Sequence, residues 1–178
     1  MVAEGVTNHA DSARIITIRL AARFNQSGNI QARIAIPVAA HAFTLDYSGS
    51  ADRTDLRAFN TWMEPNEHKR VNAGILQSAA FDIKVRRGVA KGSVRAIYKD
   101  FSLSSLSGKG KARSSKGIFQ RFTSFLMSLK LRGTNEPDRK GAMKIGAVSY
   151  TRKPDDAFFQ YLWFALRGGI SEIIGGSF

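Results

Sequence analysis

Between Ile16 and Val85, apolar residues keep falling on every second position. Ile16, Ile18, Leu20, Ala22 and Phe24 alternate with Thr17, Arg19, Ala21 and Arg23. After the turn residues Asn25–Asn29, Ile30, Ala32, Ile34, Ile36 and Val38 repeat the pattern, and Phe43, Leu45 and Tyr47 continue it. A period of two puts alternate side chains on opposite faces of a strand. Short turns between such segments favour antiparallel neighbours with one wet face.

The same texture returns later. Phe81, Ile83 and Val85 alternate with Asp82, Lys84 and Arg86, Gly88 marks a tight turn, and Val89–Tyr98 runs back. Phe101 and Leu103 begin another strand, and Met143–Arg152 forms the last. No regular helix–strand alternation of the parallel α/β kind is present. The expected fold is therefore mainly β within an α+β class. It is a curved antiparallel sheet with one apolar face, joined by two or three amphipathic helices.

Three segments have helical periodicity. Asp52 or Thr54 can cap the first, in which Leu56, Phe59, Asn60 and Met63 share a face until Pro65, giving a helix over about 54–64. The second covers about 117–131, where Ile118, Phe119, Phe122, Phe125, Leu126 and Leu129 form a stripe. The third is the C-terminal aromatic helix. Pro154, Asp155 and Asp156 suit a helix start, and Phe158, Phe159, Tyr161, Leu162, Trp163, Phe164 and Leu166 then cover most of its circumference. Such a run is too short to span a bilayer, which needs roughly 20 residues. It suits a docked or interfacial helix.

These segments divide the chain into a disordered stretch at 1–13, a β-groove domain at 14–153 with a basic loop at 104–116, and a terminal helix at 154–178. One sheet face needs a cover. Left partly open, it would form a groove for an acyl chain, lined by Ile16, Ile18, Leu20, Ile34, Ile36, Phe43, Leu45, Phe81, Ile83 and Val85.

Charge is the second constraint. The net charge is +13 in 178 residues. Residues 1–65 hold six Arg and six acids, so the whole excess lies in residues 66–178, where 21 Lys or Arg face eight acids. Such a surface attracts anionic lipid headgroups or nucleic acid. Basic residues near the aromatic helices favour the membrane surface. The contact residues expected there are Phe158, Phe159, Tyr161, Trp163 and Phe164, assisted by Arg152, Lys153 and Arg167. A nucleic-acid-binding module is the alternative, with Lys84, Arg86, Lys91 and Arg95 on strand faces, but no aromatic residues are interleaved with them. A plain protein-interaction domain is the second alternative.

Catalysis has little support. The chain has no Cys and its three His are scattered, with no metal-ligand spacing. No nucleophile elbow or phosphate-binding loop occurs. A hydrolase would need two or more of Asp46, Asp82, Asp100 and His68 to converge. The reading is non-enzymatic, without cofactor or metal.

The order of these pieces resembles the C-terminal part of bacterial AsmA-like proteins, which include the TamB-like chains. The resemblance is carried by Asp55-Leu56 with Phe59-Asn60, Phe81-x-Ile83-x-Val85, Gly88-x-Ala90-x-Gly92, Tyr98-x-Asp100-Phe101, Tyr150-x-Arg152-x-Pro154 and the aromatic helix ending Gly168-Gly169-Ile170. It covers roughly residues 29–178. It implies a periplasmic β-groove in a Gram-negative envelope, contact with phospholipid in its transfer toward the outer membrane, and an envelope partner at the C-terminal helix. Members carry an N-terminal membrane anchor. The expectation for this chain is therefore a C-terminal fragment, periplasmic if an anchor precedes it and cytoplasmic if it is complete.

Overall fold

The computed structural model describes residues 2–4, 14–24, 28–106 and 131–176, without the side chains of 2–4 and Phe24. The strands are β1 (Val2–Glu4), β2 (Ile15–Phe24), β3 (Gly28–Pro37), β4 (Leu45–Ala51), β5 (Thr54–Asp55), β6 (Lys69–Arg86), β7 (Val89–Ser105) and β8 (Ile145–Thr151). The helices are α1 (Asn60–Glu67), preceded by a 3-10 turn at Leu56–Phe59, and α2 (Phe158–Ile174). All pairings are antiparallel, in the order β1-β2-β3-β4-β6-β7-β8, with β5 beside β6. The sheet is curved and does not close.

The register aligns one row across the whole sheet: Ile18, Ile34, Tyr47, Ile83, Gly92 and Val148. The next row on that face is Leu20, Ala32, Gly49, Phe81, Val94 and Gly146. Intervening residues belong to the opposite face, where Lys84 faces Lys91 and Arg19 faces Arg33. Burial follows the first face: Ile34, Leu45, Tyr47, Ile83, Val85, Ala90, Val94 and Val148 form the core with Tyr161, Leu162, Ala165, Ile173 and Ile174 of α2. A smaller cluster, Met63, Val71 and Leu103, packs under α1.

Helix α2 lies unusually close to the strands. A Cβ on Gly146 would overlap the carbonyl oxygen of Gly169, and one on Gly169 would meet Val94 Cγ2 at 2.7 Å. Two glycines therefore set the approach of helix to sheet. Residues Tyr161, Ala165, Gly169 and Ile173, four apart, form the buried stripe, while Phe159, Gln160, Gly168 and Glu172 are exposed. Glu172 accepts the Ala147 N–H at 2.6 Å and the Lys144 ammonium at 2.8 Å. That carboxylate blunts the free edge of β8.

Several expectations need correction. The segment 1–13, expected to be disordered, contributes β1, whose Val2–Glu4 pair with Thr17–Arg19. The first helix is expected over about 54–64. Thr54 and Asp55 instead pair with Leu76 and Ile75 as β5, and Asp55 caps the 3-10 turn by accepting the Arg57 N–H at 2.9 Å. Pro65 lies inside α1 and does not end it. The stop comes at His68, in the left-handed region at φ 51°.

Helix α2 starts at Phe158 and not at Pro154. Buried Asp156 is occupied elsewhere, accepting from Tyr150 Oη at 3.0 Å and the Lys153 N–H at 2.8 Å. Strand β6 begins at Lys69, twelve residues ahead of the expected Phe81, and irregular pairing between Val71 and Ser78 breaks the alternation there. Ser104 and Ser105, expected in the basic loop 104–116, close β7. Most of that loop, and nearly all of the helix expected at about 117–131, lie outside the described residues. The turn expected at Gly88 is present: Arg87 (φ 52°) and Gly88 (φ 78°) form the two-residue connection of β6 to β7.

Candidate lipid-contact surfaces

Nine of the ten residues expected to line a groove fall on one sheet face, with Phe43 on the connection between β3 and β4, and they divide into two environments. Leu45, Ile83 and Val85 are fully buried in the core beneath α2. Ile34 is 2% exposed and belongs with them. Phe43 and Phe81 are partly buried at the margin of that core: the Phe43 ring meets Tyr161 edge-on at 5.2 Å, and Phe81 leans on Tyr47 at 5.7 Å. Ile16, Ile18, Leu20 and Ile36, on β2 and β3, keep part of their surface exposed. The helix thus seals the β6–β8 end of the face, reaching β4 where Tyr47 Oη donates to the Leu162 carbonyl at 3.2 Å.

The eight residues expected to touch a membrane divide more sharply. Tyr161 is 0% exposed, which corrects its placement at an interface. Its hydroxyl donates to the Gly88 carbonyl at 3.1 Å, and burial pushes its phenol up to about 12. The helix therefore turns its tyrosine into the sheet and locks onto the β6–β7 turn.

Trp163 and Arg167 are also engaged. The Trp163 indole donates to Glu67 Oε1 at 2.7 Å, and Arg167 Nη1 reaches Glu67 Oε2 at 3.1 Å. The Glu67 side chain is only 7% exposed, so both donors satisfy a nearly buried carboxylate. Trp62 of α1 packs edge-on against Trp163 at 4.4 Å. Phe164 lies against Tyr150 at 5.9 Å and under the Arg167 guanidinium at 4.8 Å. Phe158 packs on Phe43 at 6.2 Å.

Three of the eight remain at the surface. Phe159 is 59% exposed, and Arg152 and Lys153 precede it on the connection from β8. Arg152 also lies 4.3 Å from the centre of the Phe43 ring and donates to the Asp156 carbonyl at 3.3 Å. Phe159 lies in the first turn of α2, and Arg152 and Lys153 lie on the connection before it.

Of the four groups that a hydrolase could draw on, Asp46 and Asp82 are diagonal neighbours on the polar face, while Asp100 and His68 lie apart from them. Asp46 forms an ion pair with Arg86, and Asp82 lies one row further along the same polar face. Asp100 is seven residues along β7 from Ser93, the partner of Asp82, which is roughly 23 Å of strand. His68 ends α1, its Nδ1 3.3 Å from the Glu64 carbonyl. Among the described residues no group of three His, Cys, Asp or Glu could hold a metal ion.

Sequence reasoning did not find Glu67 as the partner of Trp163 and Arg167, separated from them by 96 and 100 residues. No local signal marks such a contact. It also missed Asn135, which is buried and bridges β7 to the strand that follows. Its side-chain amide donates to the Ala96 carbonyl at 2.7 Å and the Lys144 carbonyl at 2.9 Å. Among the described residues no helix is long and apolar enough to cross a membrane. Comparison of the chain with protein-family models, curated proteins and solved structures found no match.

Proposed function

We propose that this chain is a non-enzymatic lipid-contact domain, the closing end of an AsmA-like β-groove in phospholipid transfer across a Gram-negative envelope. One observation carries the reading. The sheet face that α2 seals at β6–β8 continues onto β2 and β3, where Ile16, Ile18, Leu20 and Ile36 stay partly exposed. A one-sided apolar surface of this kind suits an acyl chain lying across the strands. The helix closes one end of the groove and leaves the other open. Phe159, Arg152 and Lys153, placed at one end of α2, contribute one contact with the membrane. A periplasmic location belongs to the same proposal.

Native mass spectrometry of the purified chain, with lipid extraction of the same sample, tests it. Phospholipid bound in stoichiometric amount in the wild type, and lost in Leu20→Glu with an unchanged circular dichroism spectrum, supports the groove. A lipid-free monomer that also takes up no added phospholipid overturns it.

A further inference from the structure

The opposite face of the sheet carries a charge arrangement that neither the core nor the acyl-chain reading uses. Lys84 of β6 is directly opposite Lys91 of β7, and both are exposed. Like charges placed directly across a ladder repel. Among the described residues neither lysine has an ion pair, and Arg33 on β3 has none either. Arg33 shares this face, since Arg33, Ser48 and Asp82 form one row and Lys84 lies two positions beyond Asp82. Two carboxylates, Asp46 of β4 and Asp82 of β6, lie beside them. Asp46 is taken by Arg86, and Asp82 is bound to none of the three cations.

Arg33 also borders a shallow cavity of about 570 Å³ whose lining mixes Arg19, Gln31 and Ser48 with Leu20 and Ala32. Strand alternation turns Arg19, Gln31, Arg33 and Ser48 to the polar face. Guanidinium, amide and hydroxyl donors around one hollow suit the oxygens of a phosphate group.

We propose that this face binds the phosphates of an anionic phospholipid surface, with Arg33, Lys84 and Lys91 as the contact cations. Membrane is favoured over a nucleic-acid strand by what the face lacks and by its shape. No aromatic ring lies in these rows on β2 to β8, so no base has a stacking partner. The cations spread over three strand spacings, roughly 14 Å, as a patch and not a single track. The inference is independent of the acyl-chain reading, because the two surfaces lie on opposite faces.

The test is sedimentation with vesicles of phosphatidylcholine alone or mixed with phosphatidylglycerol, at low and high salt. The wild type is expected to bind only the mixed vesicles, and less at high salt. The triple variant Arg33→Ala, Lys84→Ala, Lys91→Ala should bind about a hundredfold more weakly, at about fivefold per charge removed. Its melting temperature should be unchanged or raised, since the lysine repulsion is gone. Ile36→Glu, on the other face and away from this cavity, should keep vesicle binding even if it loses co-purified lipid. The proposal is overturned if the wild type ignores mixed vesicles or binds both kinds equally. It also fails if the triple variant binds as wild type does, or if duplex DNA binds more tightly than vesicles at equal phosphate.

Discussion

Glu67 of α1 accepts the Trp163 indole N–H of α2 at 2.7 Å, joining the two helices through a side chain that is 7% exposed. Arg167 takes the second oxygen at 3.1 Å. The contact fixes where the distal part of α2 sits relative to α1, which otherwise packs on β6. Replacing Glu67 by Ala strands an indole N–H and a partly covered guanidinium. The expected loss is about 1–3 kcal/mol in urea unfolding. Glu67→Gln keeps an acceptor for Trp163 and should lose less. Equal losses for the two variants would mean that charge, and not the hydrogen bond, holds the junction.

Adjacent glycines in α2 are expected to respond oppositely to alanine. A Cβ on Gly168 meets nothing within 4 Å, so Gly168→Ala should stabilise by about 0.5–1 kcal/mol through helix propensity. A Cβ on Gly169 would press on Val94 and Val148, and Gly169→Ala should destabilise by about 1–3 kcal/mol. Val94→Ala in the Gly169→Ala background should recover part of that loss. Thermal unfolding of the four proteins completes the cycle, and additive effects would show that Val94 is not the obstacle.

The strands at Ile16–Leu20, Ile30–Ile36 and Phe81–Val85 were legible because one face is buried and a period of two survives in the residues. The beginning of β6 was not, since bulges near Ala73 and Gln77 shift the register and erase the period. The aromatic run of α2 was legible as a helix, but its environment was not. A ring that faces lipid and one that faces a sheet have the same sequence signature. Tyr161 was therefore assigned to an interface although it is the most enclosed aromatic residue of the core. The contact of Glu67 with Trp163 and Arg167 spans 96 and 100 residues, a separation that no local pattern records.

Tyrosine ionisation should report folding. All four tyrosines (Tyr47, Tyr98, Tyr150 and Tyr161) have phenols raised above the ordinary value, chiefly by burial, with Tyr98 and Tyr161 pushed up to about 12. A raised phenol favours the protonated native state. Its stabilising contribution is complete below the unfolded value of about 10 and is lost as pH rises toward the folded value. Phenolate absorbance should therefore lag behind that of free tyrosine above about pH 10 and then rise together with loss of helical circular dichroism. A smooth titration near pH 10 in a folded protein would contradict the burial of these rings.

Phe159 and Tyr161 separate membrane contact from packing, because they lie two residues apart with opposite exposures of 59% and 0%. Tyr161→Ala removes a ring that fills the space between Phe43 and Tyr150, and should cost about 3–5 kcal/mol. Phe159→Ala should change stability by less than about 0.5 kcal/mol. If the proposed membrane contact is correct, Phe159→Ala combined with Lys153→Ala weakens binding to vesicles containing phosphatidylglycerol while urea unfolding stays at wild type. Phe159 would supply the inserted apolar area, and Lys153 the attraction to headgroups. Unchanged vesicle binding in that double variant would remove the end of α2 from the membrane interface and leave the helix with a purely structural role.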